Sequence, residues 1–301
     1  ELLLNGDAPL LPEQHAHLER VLSNGNHLHH LLNDLLDLSR IEAGALTIES
    51  MECAPYAMFH DILSALQSRA IAKNLTLNLI VANGVPARLQ TDPTRLRQIM
   101  TNLIGNAIKF TNAGSVSLII NTDVAQNKLR VQIQDTGLGI DIAAQKDIFE
   151  PFKQADESVE RKYQGTGLGL AIVKHFTEAM GGSVAVESVP QNGTCFTLEM
   201  PFALVGKAQR DLEKRNSHRP PLLLIAEYSP VTTALLRCLV QPGVEIIHRD
   251  ILVADDKPSV MQEIRRASVL VVTEKSLADV SVLQAVCSLA SQTQKRVVAL
   301  V

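Results

Sequence analysis

The hydrophobic positions follow two rhythms along the chain, and the change of rhythm marks its parts. From about Glu13 to Ala43, Leu18, Val21, Gly25, Leu28, Leu32 and Leu35 fall at heptad spacing, and Leu22, Leu31, Leu36 and Leu38 widen the stripe. That spacing predicts one long helix that wants a partner helix, in this chain or another. Gly44 supplies its stop. From Leu46 to Phe202 strand and helix patterns mix. Strands are expected at 46–49, 76–81, 115–121, 128–134, 183–187 and 194–200, and helices at 56–73 and 169–180. A further helix opens at Asp92-Pro93, with the aspartate as cap and the proline at the first helical position. Hairpins with helices between them suggest an α+β sandwich with a mixed sheet rather than a doubly wound fold.

Residues 206–221 are charged and end in Pro220-Pro221, which reads as a linker. Beyond them, apolar strands at 222–226, 244–248, 269–273 and 296–301 alternate with helical patterns at 230–240, 258–267 and 277–292. This alternation predicts a second, parallel-sheet unit. Glu1-Leu2-Leu3-Leu4 reads as the last turn of a helix already under way, and the chain closes on a strand. The sequence is therefore expected to be part of a longer protein. The organisation read from it is a helix over 1–45, a mixed α/β domain over 46–205, a linker, and an incomplete α/β unit over 222–301.

Composition narrows the function. A net charge of −4 lacks the basic footprint of a nucleic-acid binder, and 3% aromatics with no Trp leaves little for base stacking. The four cysteines, Cys53, Cys195, Cys238 and Cys287, have no C-x-x-C spacing, so zinc and disulfide frameworks are not indicated. A reducing, cytoplasmic setting fits best. No apolar run reaches the ~18 residues of a membrane-spanning helix, and no signal peptide is expected in this stretch.

The candidate chemistry begins at Asn102-Leu103-Ile104-Gly105-Asn106-Ala107-Ile108-Lys109-Phe110-Thr111. As a helix, this stretch sets Asn102, Asn106 and Lys109 on one side and Leu103, Ile104, Ala107 and Ile108 on the other. Amide oxygens can coordinate a hard cation and the lysine can neutralise phosphate. Taken alone, the same pattern also reads as a solvated helix face. A second stretch, Val131 to Ile140, delivers Asp135 from a strand end into Thr136-Gly137-Leu138-Gly139. A carboxylate there can accept the exocyclic amine of adenine, and glycines let the backbone approach a ligand. D-x-G-x-G is also a common turn. The third stretch, Gly165-Thr166-Gly167-Leu168-Gly169-Leu170, leads into a helix whose N-terminal N–H groups suit phosphate. It is neither a Walker A loop nor the dinucleotide fingerprint. Between the glycine loops lie Ile148-Phe149-Glu150-Pro151-Phe152, whose phenylalanines are expected to anchor a mobile flap, and Arg161 and Lys162, which could reach phosphate.

Taken in order, residues Asp92 to Phe202 resemble the catalytic, ATP-binding domain of two-component sensor histidine kinases. Asn102–Thr111 looks like the family's N box, Asp135–Ile140 its G1 box, Ile148–Phe152 its F box and Gly165–Leu170 its G2 box. The resemblance implies a Bergerat-type ATP-binding α/β sandwich with ATP and Mg2+ as cofactors. It implies that Asn106 coordinates magnesium, Asn102 lies near the phosphates, Lys109 contacts phosphate and Phe110 sits against the adenine pocket. Asp135 would accept the adenine amine beside Gly137 and Gly139. Gly165, Thr166, Gly167, Leu168 and Gly169 would form the lid hinge and phosphate end, with Arg161 in the lid.

The helix around Asn33 to Gly44 is similar to the second helix of the family's dimerisation and phosphotransfer hairpin. The family's acceptor histidine lies in an H-E-x-R-x-P-like box. His17 is followed by Leu18, Glu19 and Arg20 without the proline, so no catalytic histidine is assigned and the acceptor is expected outside this chain. Residues 222–301 resemble a receiver domain with altered acids. Glu227 and Tyr228 stand where paired acids are expected, and Thr273, followed by Glu274, stands where the phosphoaccepting aspartate would be. This implies a unit that is not phosphorylated.

The expected function is the core of a hybrid-type protein histidine kinase. It would be a homodimer through its helical hairpin, with a response regulator or phosphotransfer protein as partner and a membrane reached only through segments outside this chain. A second expectation is a regulatory module that forms a heterodimer with another kinase and restrains it. A third is an ATP-driven clamp of the gyrase, mismatch-repair or chaperone type, which the flanking helix and receiver-like unit argue against.

Overall fold

The structure, a computed structural model, describes residues 11–82, 85–86, 88–123, 126–153, 166–204, 222–225, 246–249, 269–273 and 296–300. The long helix α1 spans Pro12–Glu42, and Gly44 follows it with φ 62°. Val21, Leu28, Leu32, Leu35 and Leu36 are exposed, whereas Leu38 is buried and Ile41 packs against the domain core. Only the last turns of α1 therefore belong to the core of this chain. Among the described residues of the stripe before them, Leu18, Leu22 and Leu31 are half-buried and the others just named are exposed.

Strand β1 (Met51–Cys53), helix α2 (Pro55–Ile71), β2 (Leu75–Val81), β3 (Leu89–Thr91) and helix α3 (Pro93–Phe110) come next. They are followed by β4 (Gly114–Asp123), β5 (Lys128–Asp135), a short 3-10 turn at Ala144–Lys146 and helix α4 (Gly169–Ala179). Strands β6 (Ser183–Val189), β7 (Gly193–Pro201) and β8 (Ala203–Leu204) close the domain. The strand expected at 46–49 is displaced. The Glu49 N–H donates to Asp92 Oδ2 at 3.0 Å, and strand pairing starts only at Met51, opposite Thr91. The short β1, β3 and β8 form their own antiparallel sheet.

The main sheet carries β2, β4, β5, β7 and β6 in that order, with β2–β4 parallel and the other neighbours antiparallel. It is mixed, as the hairpin pattern indicated. Val116, Leu118 and Ile120 of β4 and Leu129, Val131 and Ile133 of β5 turn to one face and are buried. Helix α3 covers the core with Leu96, Ile99, Met100, Leu103, Ile104, Ala107 and Ile108, spaced three and four apart. Phe59 and Leu63 of α2 and Phe176 of α4 complete the layer. Because side chains alternate along a strand, the face that carries Leu129, Val131 and Ile133 also carries Asp135. The strand thus delivers its carboxylate to the helical side, where it is buried.

Strands β9 (Leu222–Ile225), β10 (Ile246–Arg249), β11 (Val269–Thr273) and β12 (Arg296–Leu300) are parallel in the order β12-β11-β9-β10. β10 also pairs antiparallel with β2, so the two sets of strands form one nine-stranded sheet. Strand β2 is thus an inner strand at Asn78–Val81, and it is buried on both faces from Leu75 to Leu79. Within it, Asn78 donates through Nδ2 to Ser117 Oγ, 3.1 Å away on β4. The helical patterns expected between β9 and β12, with Glu227, Tyr228 and Glu274, lie outside the described residues.

Candidate nucleotide site

The site forms where the end of α3, the end of β5 and the start of α4 meet. Helix α3 is fixed first. Asp92 caps it, with Oδ1 accepting from the N–H groups of Thr94 and Arg95 at 3.0 Å each. Its buried side then turns Asn102, Asn106 and Lys109 to the half-exposed face, as the spacing predicts. Asn102 Nδ2 donates to the Gly169 carbonyl at 3.4 Å, which ties this face to the first residue of α4. Lys109 Nζ lies 5.0 Å from the centroid of the Phe110 ring. Burial, and secondarily the charge of Lys73, lower the Lys109 pKa from the usual lysine value.

The last carbonyls of α3 are all engaged. The Ala107 oxygen accepts from Thr111 N and Oγ1, at 3.1 and 2.7 Å. Lys73 Nζ donates to the carbonyls of Ile108, Lys109 and Thr111, at 2.9, 2.6 and 3.2 Å. The remaining one, Phe110, accepts from Leu138 N at 3.3 Å. The end of α3 is thus joined to the loop after β5. Gly137 makes that approach possible, since a Cβ there would stand 2.6 Å from the Phe110 carbonyl oxygen. Lys73 was not singled out by sequence pattern. It sits in the turn after α2, a helix that already carries Asp61 and Arg69, so nothing local sets Lys73 apart from other charged residues of this segment.

Asp135 is 6% exposed, and its Oδ1 accepts from Gly137 N at 2.8 Å. Burial raises its pKa, and the backbone N–H groups of Gly137 and Thr194 partly offset the rise. Gly139 follows with φ 68° against Val189 and Pro190, and the Leu138 carbonyl accepts from Gln191 N at 2.7 Å. The glycine loop is thereby clamped between α3 and the β6–β7 hairpin.

Across the site, Phe152 N donates to the Gly167 carbonyl at 3.0 Å. Gly167 has φ 70°, and a Cβ on it would come within 2.9 Å of the Phe152 backbone. The two borders of residues 154–165 are therefore in backbone contact. The two phenylalanines do not act alike. Phe149 packs edge-on against Phe196, whereas Phe152 is 66% exposed with φ 62°, so its backbone rather than its ring makes the anchor. Thr166 Oγ1 accepts from Leu168 N at 3.1 Å, and among the described residues no side chain caps the N-terminus of α4. Its first N–H groups are available to an anion. Arg161, Lys162 and Gly165 lie outside the described residues.

A second polar junction lies at the other end of α3. Asp37 of α1, 7% exposed, accepts from Arg95 Nη1 at 3.3 Å and from Gln98 Nε2 at 2.7 Å. The Arg95 guanidinium also lies over the Phe176 ring of α4, 4.7 Å from its centroid. This junction was not foreseen from the sequence, because its partners stand far apart along the chain.

A mixed sandwich with these three loops is the nucleotide-binding fold that its sequence boxes imply. Residues 91–204 match the family described as Histidine kinase-, DNA gyrase B-, and HSP90-like ATPase, and residues 1–44 match the His Kinase A (phospho-acceptor) domain. The histidine-protein kinase BarA of Escherichia coli K12 is 38% identical over 190 residues, covering 62% of this chain and 21% of that protein. The sensor protein TorS of the same organism is 34% identical over 251 residues, covering 81% of this chain and 26% of its own length. The crystal structure of full-length ShkA in complex with AMPPNP is similar at a TM-score of 0.65 and 28% identity, over 99% of this chain and 59% of that one. The chain thus belongs to the two-component sensor histidine kinases. It spans about a quarter of the length of the curated relatives it matches. Among the described residues, no helix is long and apolar enough to cross a membrane.

Proposed function

We propose that this chain is the ATP-binding catalytic core of a protein histidine kinase. In this reading ATP binds between α3, the β5 loop and the start of α4, and its γ-phosphoryl passes to a histidine of the phosphotransfer hairpin. One observation carries the reading. A half-exposed amide and ammonium face, a buried strand-end carboxylate and the start of α4 are brought together by two hydrogen bonds, Leu138 N to the Phe110 carbonyl and Asn102 Nδ2 to the Gly169 carbonyl.

The residues fit the cofactor. Asp135 is a buried acceptor suited to the adenine amine, and a guanine carbonyl in that place would be repelled. Gly137 and Gly139 form the wall beside it, and Phe110 lies at the end of α3 next to that wall. Asn106, with Asn102 near it, would hold magnesium through amide oxygen, together with phosphate oxygens and water. Among the described residues no cluster of His, Cys, Asp and Glu offers a dedicated metal cage. A bound magnesium ion would supply charge neutralisation of the transferring phosphoryl group. Lys109 would add to it, and Thr166, Gly167 and Gly169, with Gly165, would present N–H groups to phosphate, while the Leu168 N–H holds the loop through Thr166 Oγ1. Arg161 would join from the lid. For this chain, catalysis is mainly positioning and charge stabilisation.

The exposed leucine stripe of α1 supports dimerisation through the hairpin, with a response regulator or phosphotransfer protein receiving the phosphoryl group. The strand order β10-β9-β11-β12 is chain order 2-1-3-4, which supports a flavodoxin-like, receiver-type unit. With Thr273 ending β11, we read that unit as one that is not phosphorylated.

The test is calorimetric titration of the chain with ATP, with and without magnesium, alongside Asp135→Asn and Asn106→Asp. The reading expects magnesium-dependent binding that Asp135→Asn weakens sharply. Failure of the unaltered chain to bind would remove it.

A further inference from the structure

We propose that Lys73 is a positioning residue for the nucleotide site, holding the end of α3 from which Lys109 and Phe110 meet the nucleotide. The inference rests on the nucleotide reading of that site and adds a residue that none of the nucleotide-binding boxes contains.

A helix ends with carbonyls that have no partner in the helix. Helix α3 lacks the glycine that commonly resolves this, because its cap residue Thr111 is extended, with φ −96° and ψ 127°. Thr111 and Leu138 engage two of the last carbonyls, and Lys73 engages the rest. An ammonium group has three donors and no acceptor, so it can serve all three of these backbone oxygens. Its charge also lies at the negative end of the helix dipole, where a cation is favourable.

The consequence reaches the site through the backbone. Two of the carbonyls held by Lys73 belong to Lys109 and Thr111, which flank Phe110. The Phe110 carbonyl in turn receives the Leu138 N–H of the loop that carries Gly137 and follows Asp135. Lys73 therefore fixes a stretch of backbone shared by the phosphate and adenine sides. Without it, three carbonyls would seek water, the last turn would fray, and the Phe110–Leu138 bond would loosen. Its charge also bears on the Lys109 ammonium and lowers that group's pKa, second to burial. The two effects separate by salt, since a through-space charge effect is screened and a backbone displacement is not.

The experiment compares the unaltered chain with Lys73→Met and Lys73→Arg. It measures the affinity for magnesium AMPPNP by calorimetry at low and high salt, and hydrogen exchange at the Thr111 and Leu138 amides without nucleotide. Lys73→Met is expected to weaken nucleotide binding about tenfold at both salt concentrations, on the scale of a lost charged helix cap. Both amides should exchange faster, with part of each effect recovered by Lys73→Arg, whose planar fork fits three oxygens less well. Unchanged exchange at both amides would overturn the proposal. So would a Lys73→Met protein that melts lower yet binds nucleotide as tightly as the unaltered chain, because Lys73 would then be merely structural. If Lys73→Met fails to fold, Lys73→Arg carries the same comparison, and wild-type affinity and exchange in it would also overturn the proposal. If the unaltered chain binds no nucleotide, the kinase reading fails, and the exchange arm still decides whether Lys73 holds α3.

Discussion

At its first turn α3 is capped by the residue immediately before it, Asp92. At its last turn it is held by Lys73, which lies 35 to 38 residues before the carbonyls it binds, and by Leu138 of the loop after β5. Both ends solve the same physical problem of unpaired backbone groups. They solve it with different reach. Asp92 ties the helix start to the incoming segment through the Glu49 N–H, and Asp37 brings α1 to the same end. The distal end instead gathers three separate pieces of chain beside the proposed nucleotide site. The first end organises how the domain sits on the long helix, and the second organises the place where the nucleotide is proposed to bind.

The largest expected effect tests the distal end. Asp135 has a pKa raised mainly by burial, so it takes up a proton at a pH where an ordinary aspartate stays ionised. Protonation removes a charged acceptor for the adenine amine, so affinity should fall as pH drops through the raised pKa. Replacing the carboxylate should cost about ten- to a hundredfold, as expected for a hydrogen bond to a charged group. Fold stability should move the opposite way at this group. In the window between the unfolded and the raised folded pKa, the folded protein binds more protons, so the contribution of Asp135 to stability rises as pH falls. The measurement is nucleotide affinity against pH for the unaltered chain and Asp135→Asn. Titration of the nucleotide itself is common to both, so the ratio isolates Asp135. Parallel curves would show that Asp135 is not the titrating acceptor.

A smaller effect is expected at the first end, and on another property. Asp92→Ala removes a cap and strands the Glu49 N–H, and should cost about 1–2 kcal/mol of stability. Thermal or denaturant unfolding would read it. Nucleotide affinity of the folded protein should stay unchanged. A large loss of affinity would mean that the two ends of α3 are not separable.

The same contrast explains what could be read from the sequence. Asp92-Pro93, the spacing of Asn102, Asn106 and Lys109, and the glycines at 137, 139 and 167 are local signals. Each states its own geometry within a few residues, and the structure places each as expected in the fold. The mixed sheet followed likewise from sequential hairpins with helices between them. What escaped were features decided by distant partners. The strand expected at 46–49 gave way because Asp92 takes the Glu49 N–H, and β8, of two residues, exists only through its pairing with β3. Phe152 looked like an apolar anchor, but a positive φ turns its ring outward. The half-buried Lys73 and the buried Asp37 carry no periodic signature, since the role of such an ion is recognised only when its partners are known.

The smallest effect expected is at Asp37. Its carboxylate and the Arg95 guanidinium are 10% and 18% exposed, and the pair is 3.3 Å apart, so it sits between a surface and a buried ion pair. Asp37→Ala leaves Arg95 on the Phe176 ring and bonded to Gln98 Oε1 at 3.2 Å, so no cation is abandoned without support. The cost should therefore be about 1 kcal/mol or less, near the range of partly exposed pairs. Arg95→Ala should cost more, since it also removes the contact with the ring and leaves the buried Asp37 carboxylate with Gln98 alone. The sensitive readout is the attachment of α1, followed by hydrogen exchange in its last turns between Asp37 and Glu42. Faster exchange there, with unchanged protection at Thr111 and Leu138, would confine Asp37 to docking the domain on the long helix. Loosening at both places would instead mean that the position of α1 is felt along the whole length of α3 and reaches the nucleotide site.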